Sequence, residues 1–280
     1  MVGRLCAGPI KFIAVSATAV PNYARPVDAQ GRPRPETYVF SPGRFFGGNT
    51  ADSHLNQVKF EDITRMLALN LAKQNYFPTK DVPSANLLLM VHWGMTHVDR
   101  NPQNEFAAEN LNKAMSDYRA SAANNSGDAD PGALNEALND QAYTAASAQG
   151  AIARNAALLG YKPTLQKKQR RIIIGSDEIT MSEELNEERY FVVLMAYDYQ
   201  YMQKEHKSRL LWVTRISVRS PGNNFTEAMP AIAQAGAGVY GRQVDGLVRV
   251  DAPGRGGRVD LGELKEIGPV DDPLPAKAKK

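Results

Sequence analysis

The sequence predicts an α+β fold, a two-layer sandwich in which a mixed, largely antiparallel sheet carries two helices on one face. Residues 56–76 and 224–242 place apolar side chains at helical spacing. Residues 190–203 and 210–219 have the composition and alternation of two long strands joined by a short loop. Regular alternation of strands and helices is missing from the pattern, which argues against a doubly wound nucleotide-binding sheet.

Two interpretations stay open for the first apolar segment, residues 12–19. The basic residues Arg4 and Lys11 precede it and it ends in an Ala-x-Ala pattern, as a secretion signal does. Apolar and small residues also alternate along 10–16, as on one face of a strand. We favour the strand. The lone cysteine, Cys6, cannot form an internal disulfide; Ala-Gly follows it as in lipidated proteins, but the preceding Gly-Arg-Leu departs from a lipobox.

The first half of the chain is predicted to contribute two further strands and a helix. Residues 37–40 favour a short strand, closed by the turn-forming sequence Ser41-Pro42-Gly43 and followed by a glycine-containing loop over 45–49. Residues 85–93 are apolar on both faces, which indicates a central strand. The helix over 56–76 is expected to turn four residues toward the core: Phe60, Ile63, Leu67 and Leu71.

An alanine-rich segment of about 101–165 is predicted to be a helical hairpin inserted into a single domain of residues 1–250. Its helices are expected at 104–123 and 131–159. A β segment at 172–174 and a short acidic helix near 182–189, capped by Ser182, follow. The inner face of the 224–242 helix would carry Phe225, Met229, Ile232 and Val239, with Pro230 near its start. Residues 251–280 are predicted to be a flexible tail.

Gly236-Ala-Gly-Val-Tyr-Gly241 matches the string G-x-G-x-x-G of dinucleotide-binding proteins. Its glycines fall within or at the end of a predicted helix, whereas the motif requires them directly after a strand. We therefore interpret the match as chance and expect no cofactor.

Four stretches together resemble a family of uncharacterised bacterial cell-envelope proteins, many of which are predicted lipoproteins with a domain of unknown function. They are Thr37-Tyr-Val-Phe40, Leu71-Ala-Lys-Gln-Asn-Tyr-Phe77, Ser84-Ala-Asn-Leu-Leu-Leu-Met-Val-His-Trp93 and Leu211-Trp-Val-Thr-Arg215. The resemblance covers about 10–98 and 190–242 and leaves out the alanine-rich insert and the tail. It implies an exported, non-enzymatic α+β domain, and it offers no catalytic residues.

A metal site would have to use His92, His97 and Asp99. A spacing of five turns the two histidines to opposite faces of a continuing strand, which is poor geometry for one ion unless the chain bends after Gly94. A buried, hydrogen-bonded His92 and a loop His97 are the structural alternative. A metal-assisted hydrolase built on these three residues is the second functional hypothesis.

The only basic run is Lys167, Lys168, Arg170 and Arg171. A formal net charge of +3 creates no field that implies nucleic acid, and isoleucines rather than aromatic residues follow the run. We interpret it as a solvated charge run at the edge of a β segment. A cytoplasmic nucleic-acid binder is the third hypothesis.

An alternating tyrosine stripe at the end of the first long strand suggests an interaction surface formed by Tyr199, Tyr201 and Trp212. The expected function is a non-catalytic interaction or assembly module of the cell envelope, periplasmic or associated with the outer membrane. The alternative location is the cytoplasm. We expect another envelope protein or self-association as the partner, no nucleic acid and no transmembrane span; peripheral membrane association is compatible with this sequence.

Overall fold

The computed structural model of the chain describes residues 10, 12–21, 23–98, 102–123, 131–168 and 175–252. These residues form one seven-stranded mixed sheet with helices packed against it, which confirms the predicted α+β class. No helix within these ranges is long and apolar enough to cross a membrane.

The sheet has the spatial order β3-β2-β4-β5-β6-β1-β7. Strand β2 runs parallel to β3 and β4, and all other neighbouring strands are antiparallel. The strands are β1 Phe12–Ala19, β2 Glu36–Gly47, β3 Tyr76–Pro78, β4 Leu87–Met95, β5 Arg189–Asp198, β6 Leu210–Arg219 and β7 Val248–Asp251. The strand interpretation of residues 12–19 is thus the one that the structure shows, and β4 lies between β2 and β5 as a central strand should.

The helices are α1 Ser53–Gln57, α2 Phe60–Leu71, α3 Pro102–Ala123, α4 Pro131–Leu159, α5 Lys162–Lys168, α6 Ser176–Leu185, α7 Tyr199–Glu205 and α8 Phe225–Gly236. Short 3₁₀ turns occupy Ala72–Gln74 and Val82–Ser84. The alanine-rich hairpin consists of α3 and α4, close to its predicted bounds.

Helices α2 and α8 cover one face of the sheet, as predicted. The side chains that they turn inward are fully buried and join residues of β5 and β6, including Val192, Leu194 and Ile216, in one cluster. The helix residues of this cluster are Ile63, Leu67, Leu71, Phe225, Met229 and Ile232. Since burial of each such side chain is worth about 1.5–3 kcal/mol, this layer is the main source of the stability of the domain.

A second helical layer, not predicted, covers part of the opposite face. The carboxyl-terminal end of α4 and the inner side of α6 pack on Phe191, Val193 and Val213. Tyr161, between α4 and α5, is fully buried there, and its hydroxyl donates to Glu184 Oε2 of α6 at 2.9 Å. The hairpin is therefore joined to the sheet through the base of α4.

Strand β2 is longer than predicted, because Ser41-Pro42-Gly43 lies within it instead of closing it. β3 pairs only with the first three residues of β2 and β4 lies on the other side, so β2 beyond Tyr38 has no neighbour on its outer side in the described chain. A proline is tolerated at such an edge because no ladder bond from its missing N–H is needed. The register shift between Pro42 and Phe45 takes up the irregularity.

Strand β5 is shorter than predicted, because it ends at Asp198 instead of continuing to residue 203. The Asp198 carboxylate accepts the Tyr201 N–H at 2.9 Å and caps α7, so a short helix replaces the expected extension and hairpin loop.

Three predicted helix boundaries are wrong for local reasons. Helix α2 ends at Leu71 because the chain tightens into a 3₁₀ turn and then leaves the helix at Asn75, whose φ is 59°. Helix α6 begins at Ser176 rather than 182, with the Glu178 carboxylate accepting the Gly175 N–H at 3.3 Å. Helix α8 begins at Phe225, capped by Asn224, close to its predicted start and with Pro230 inside it, but it ends at Gly236 rather than at 242, so Val239 lies beyond it.

The structure also places the end of the domain differently. Residues 248–251 form β7, which pairs antiparallel with β1, whereas the sequence predicted no element there. The predicted β segment at 172–174 and nearly all of the predicted tail, from residue 253 onward, lie outside the described residues. Of the G-x-G-x-x-G string, Gly236 is the last residue of α8 and the other two glycines follow it, so the string lies at the end of a helix, as predicted, and not after a strand.

Candidate interaction surface

Trp212 does not belong to an exposed surface, so this part of the prediction is wrong. The side chain is 1% exposed and packs between the rings of Tyr76 and Tyr240, at centroid distances of 5.8 and 6.3 Å. The reason is the alternation of β6, which turns Trp212 to the face that α8 covers.

Tyr199 and Tyr201 lie on α7 and are half-buried. The Arg209 guanidinium stacks over the Tyr201 ring at 3.4 Å from its centroid. Gln200 of the same helix donates to the carbonyl oxygens of Pro83 and Ala85 at 2.9 and 2.7 Å, which fixes α7 to the segment before β4. Tyr199 and Tyr201 are thus the two residues of the predicted surface that stay partly exposed, but positions two apart on a helix do not share a face.

The two histidines of the predicted metal site are not brought together. His92 lies in β4, half-buried, and its Nδ1 accepts the Arg44 N–H at 2.8 Å; burial lowers its pKa. His97 is exposed beyond the end of β4, with Nε2 at 3.4 Å from Asn49 Nδ2. Five residues of extended chain separate them by roughly 16 Å.

Asp99, the third residue of that hypothesis, lies outside the described residues. Within the described part of the chain, no three His, Cys, Asp or Glu side chains are grouped so that they could hold a metal ion. The hydrolase hypothesis therefore gains no ligand set from the structure.

The basic run is only partly described. Lys167 lies in the last turn of α5, and its Nζ forms an exposed ion pair with the Asp245 carboxylate at 2.6 Å. Residues 169–171 lie outside the described ranges.

A polar cleft of about 420 Å³ was missed by the sequence analysis. It lies between the loop before α1, the start of β5 and the turn before α8. Its walls carry the carboxylates of Asp52 and Glu188 and the hydroxyl of Tyr190. The signal that was available is Asp52, since an aspartate directly before Ser-His-Leu is a typical helix cap.

The polar groups of this cleft are already engaged with one another. Tyr190 donates to Asp52 Oδ2 at 2.6 Å, and the other Asp52 oxygen caps α1 by accepting from His54 N and Leu55 N. Burial, together with the adjacent Asp52 carboxylate, raises the pKa of the Tyr190 hydroxyl above its ordinary value, so Tyr190 stays a proton donor.

Glu188 is buried and holds the loop before α1 in place. Its carboxylate accepts from Thr50 Oγ1 at 2.7 Å, from Thr50 N at 3.0 Å and from Asn49 N at 3.3 Å. With three donors directed at it, this carboxylate has a structural task, and the cleft is best understood as the junction of three loops.

We expect Glu188→Ala to lower the free energy of unfolding by about 2–3 kcal/mol, because two backbone N–H groups and a hydroxyl lose a charged acceptor. Glu188→Gln is the matched control and should cost about 1 kcal/mol, since its amide oxygen still accepts from the loop. Urea unfolding of the three proteins measures both values. Equal losses for the alanine and glutamine variants would contradict the structural role.

The α3–α4 hairpin, called the arm below, is the largest feature that the core does not absorb. Helix α4 has 29 residues and α3 has 22, lengths of about 44 and 33 Å. From Ala133 to Gly150, no α4 residue with a described side chain is buried; the first buried residue is Ala151. About 30 Å of helix thus precedes the part of α4 that packs on the sheet.

The half-buried positions of this part of α4 recur at spacings of three and four, which defines one helix face. That face, called the seam below, consists of Leu134, Ala137, Gln141, Ala145, Ala148 and Ile152. Since α3 packs alongside α4, we assign the seam to the side that faces α3. Its side chains are only partly covered, and Leu138 beside it is 43% exposed.

The chain was also compared with known proteins: no family model matches it, and a search of curated proteins finds no significant relative.

Proposed function

We propose that this protein is a non-catalytic interaction or assembly module whose contact element is the arm. The observation that carries the proposal is the long stretch of α4, residues 133–150, that contributes no described buried side chain to the core. Because this part of the arm does not contribute to the core of the domain, its length is best explained by contact with a partner.

The state of the polar groups supports the same proposal. The carboxylates of Asp52, Glu188 and Glu184 each accept two or more hydrogen bonds that fasten loops or helix ends. Each of these carboxylates thus serves a structural role, which supports a function through contacts rather than through catalysis.

The proposed location is the cell envelope, in the periplasm or at the outer membrane, with another envelope protein or a second copy as partner. This rests on the four stretches that resemble envelope proteins. Fractionation of native cells, followed by mass spectrometry of the mature amino terminus, tests it. Recovery in the cytosolic fraction would favour the alternative location.

A photo-crosslinking residue at position 138 tests the proposed contact element directly. Leu138 is an exposed apolar side chain of the arm, and Leu69 of α2, 68% exposed, provides a matched control on the body. We expect a discrete covalent adduct in native cells from position 138 and none from 69. Equal labelling from both positions, or none from either, would contradict the proposal.

Shortening the arm should separate assembly from folding. We expect removal of residues 113–141, with a short Gly-Ser connection, to change the free energy of unfolding of the monomer by less than about 1 kcal/mol, because the removed residues carry no described buried side chain. Adduct formation from a crosslinker moved to position 145 should be lost. Urea unfolding at low protein concentration gives the first value; a loss above about 3 kcal/mol would show that the arm belongs to the core.

A further inference from the structure

Charge is unevenly distributed along the arm. In the outer part of the arm, residues 114–123 and 131–140 carry three acidic side chains against one basic, a net charge of −2: Asp117, Arg119, Glu136 and Asp140. At the base of the arm and in α5, residues 102–113 and 141–168 carry five basic side chains against two acidic ones, a net charge of +3: Glu105, Glu109, Lys113, Arg154, Lys162, Lys167 and Lys168. The arm therefore has an acidic outer part and a basic base.

The seam of the arm is covered from one side only. In a two-helix hairpin each helix has one neighbour, and the seam residues of α4 remain half-exposed over about 30 Å. A four-helix bundle encloses such a seam, because each helix then packs against two neighbours. Two more helices of similar length would complete the burial of the seam.

We propose that the arms of two copies of this chain pair antiparallel, side by side, as a four-helix bundle with two-fold symmetry. In this arrangement the acidic outer part of each arm lies against the basic base of the other, so both contacts are attractive. Parallel pairing would set −2 against −2 and +3 against +3. Two-fold pairing of identical arms also closes the assembly at the dimer.

The size of the contact fits a modest dimer. A face about 30 Å long and two helices wide, at about 10 Å per helix, covers about 600 Å² on each copy. The total of about 1,200 Å² lies at the lower end of the range for specific interfaces. Alanine-rich faces also bury little area per residue, so we expect dimerisation that depends on protein and salt concentration.

This inference rests on the proposed function and names the partner of the arm as a second copy. Sedimentation equilibrium of the full chain tests it with two charge-reversed proteins. One carries Asp117→Lys and Glu136→Lys in the outer part; the other carries Arg154→Glu and Lys162→Glu at the base. All four side chains are exposed.

Each reversed protein alone should dimerise at least tenfold more weakly than the natural chain. In the first protein the outer part changes from −2 to +2 and meets a base of +3; in the second the base changes from +3 to −1 and meets an outer part of −2, so like charges meet at both ends. An equimolar mixture should restore dimerisation as the heterodimer, since the positive outer part of one protein then meets the negative base of the other. Glu61→Lys with Glu205→Lys, two exposed positions on the body, is the control and should leave dimerisation unchanged.

Failure to restore dimerisation in the mixture would overturn the antiparallel arrangement. A natural chain that stays monomeric at all concentrations, yet forms an adduct from position 138, would overturn this inference while leaving the proposed function standing. A monomeric chain without the adduct would remove both.

Discussion

Replacing Trp212 by alanine is expected to lower the free energy of unfolding by about 3–5 kcal/mol. The side chain is almost fully buried between Tyr76, Tyr240 and the helical layer of α8, so its removal leaves a cavity in the largest cluster of the core. The sequence pattern predicts this residue on an exposed interaction surface. For an exposed tryptophan, the expected loss of unfolding free energy is below about 1 kcal/mol. Guanidinium unfolding thus separates the two assignments.

The second tryptophan supplies the matched control. Trp93 of β4 is half-buried and contacts Phe45 and Phe60 at centroid distances of 5.9 and 5.5 Å. Because less of the Trp93 side chain is removed from water on folding, Trp93→Ala should lower the free energy of unfolding by about half as much as Trp212→Ala. A larger loss for Trp93 than for Trp212 would contradict the assignment of the core to the α8 side.

Replacing Gly94 by alanine is expected to lower the free energy of unfolding by at least about 3 kcal/mol. Gly94 lies in β4 with a φ of 139°, and a Cβ there would clash with the carbonyl oxygen of Phe46 in β2. Backbone is the obstacle, so no side-chain rotation relieves the clash. Phe46 of β2 is the register partner of Gly94 in β4, so the two parallel strands would have to separate locally to accept the alanine.

Gly150 of α4 is the control for the same chemical change. Its nearest neighbour would be the flexible Arg154 guanidinium at 3.4 Å. Alanine favours a helix over glycine by about 1 kcal/mol, so Gly150→Ala should leave the domain intact and raise the helicity of the arm. Circular dichroism and urea unfolding measure both variants. A Gly94→Ala protein as stable as the natural chain would show that β2 and β4 do not pair as described.

The part of the fold that the sequence predicts best depends on local periodicity. Ile63, Leu67 and Leu71 share a helix face because they are spaced by four residues, and the structure buries all three. The continuous apolar run at 85–93 predicts β4 as a central strand for a similar reason, since both of its faces are covered. In both cases the information lies in a dozen consecutive residues.

The parts that were missed depend on contacts distant in sequence or on single side chains. Strand β5 ends at Asp198 because one carboxylate caps α7, although the alternating tyrosines beyond it continue a strand pattern. Strand β7 alternates apolar and charged residues over only four positions, Val248–Asp251, which is too short a pattern to predict a strand, and its pairing partner β1 is more than 200 residues away in sequence. The layer on the second face depends on Tyr161 and Glu184, which are 23 residues apart.

The candidate surface was predictable only in part. Alternation groups Tyr199 and Tyr201 on one face of a strand, whereas the structure places them two residues apart on helix α7, where such positions do not share a face. Alternation also cannot tell which face of β6 a helix will cover, and Trp212 lies on the covered face. The arm itself was predicted from composition and helix signals. The role of the arm could be inferred only from the structure, because only the structure shows that none of the described side chains of residues 133–150 is buried in the core.

Helices α2 and α8 pack on strands β5 and β6 and unfold with them as one cooperative unit, to which the outer part of the arm does not belong. Segment-resolved amide hydrogen exchange, at a protein concentration where the chain is monomeric, tests this most directly. We predict that amides of α2, α8, β5 and β6 exchange together, with the free energy of global unfolding, and that amides of 108–123 and 131–148 exchange at a free energy several kcal/mol lower. Early exchange in α2 or α8, or equal protection of the arm and the ribbon, would contradict the account.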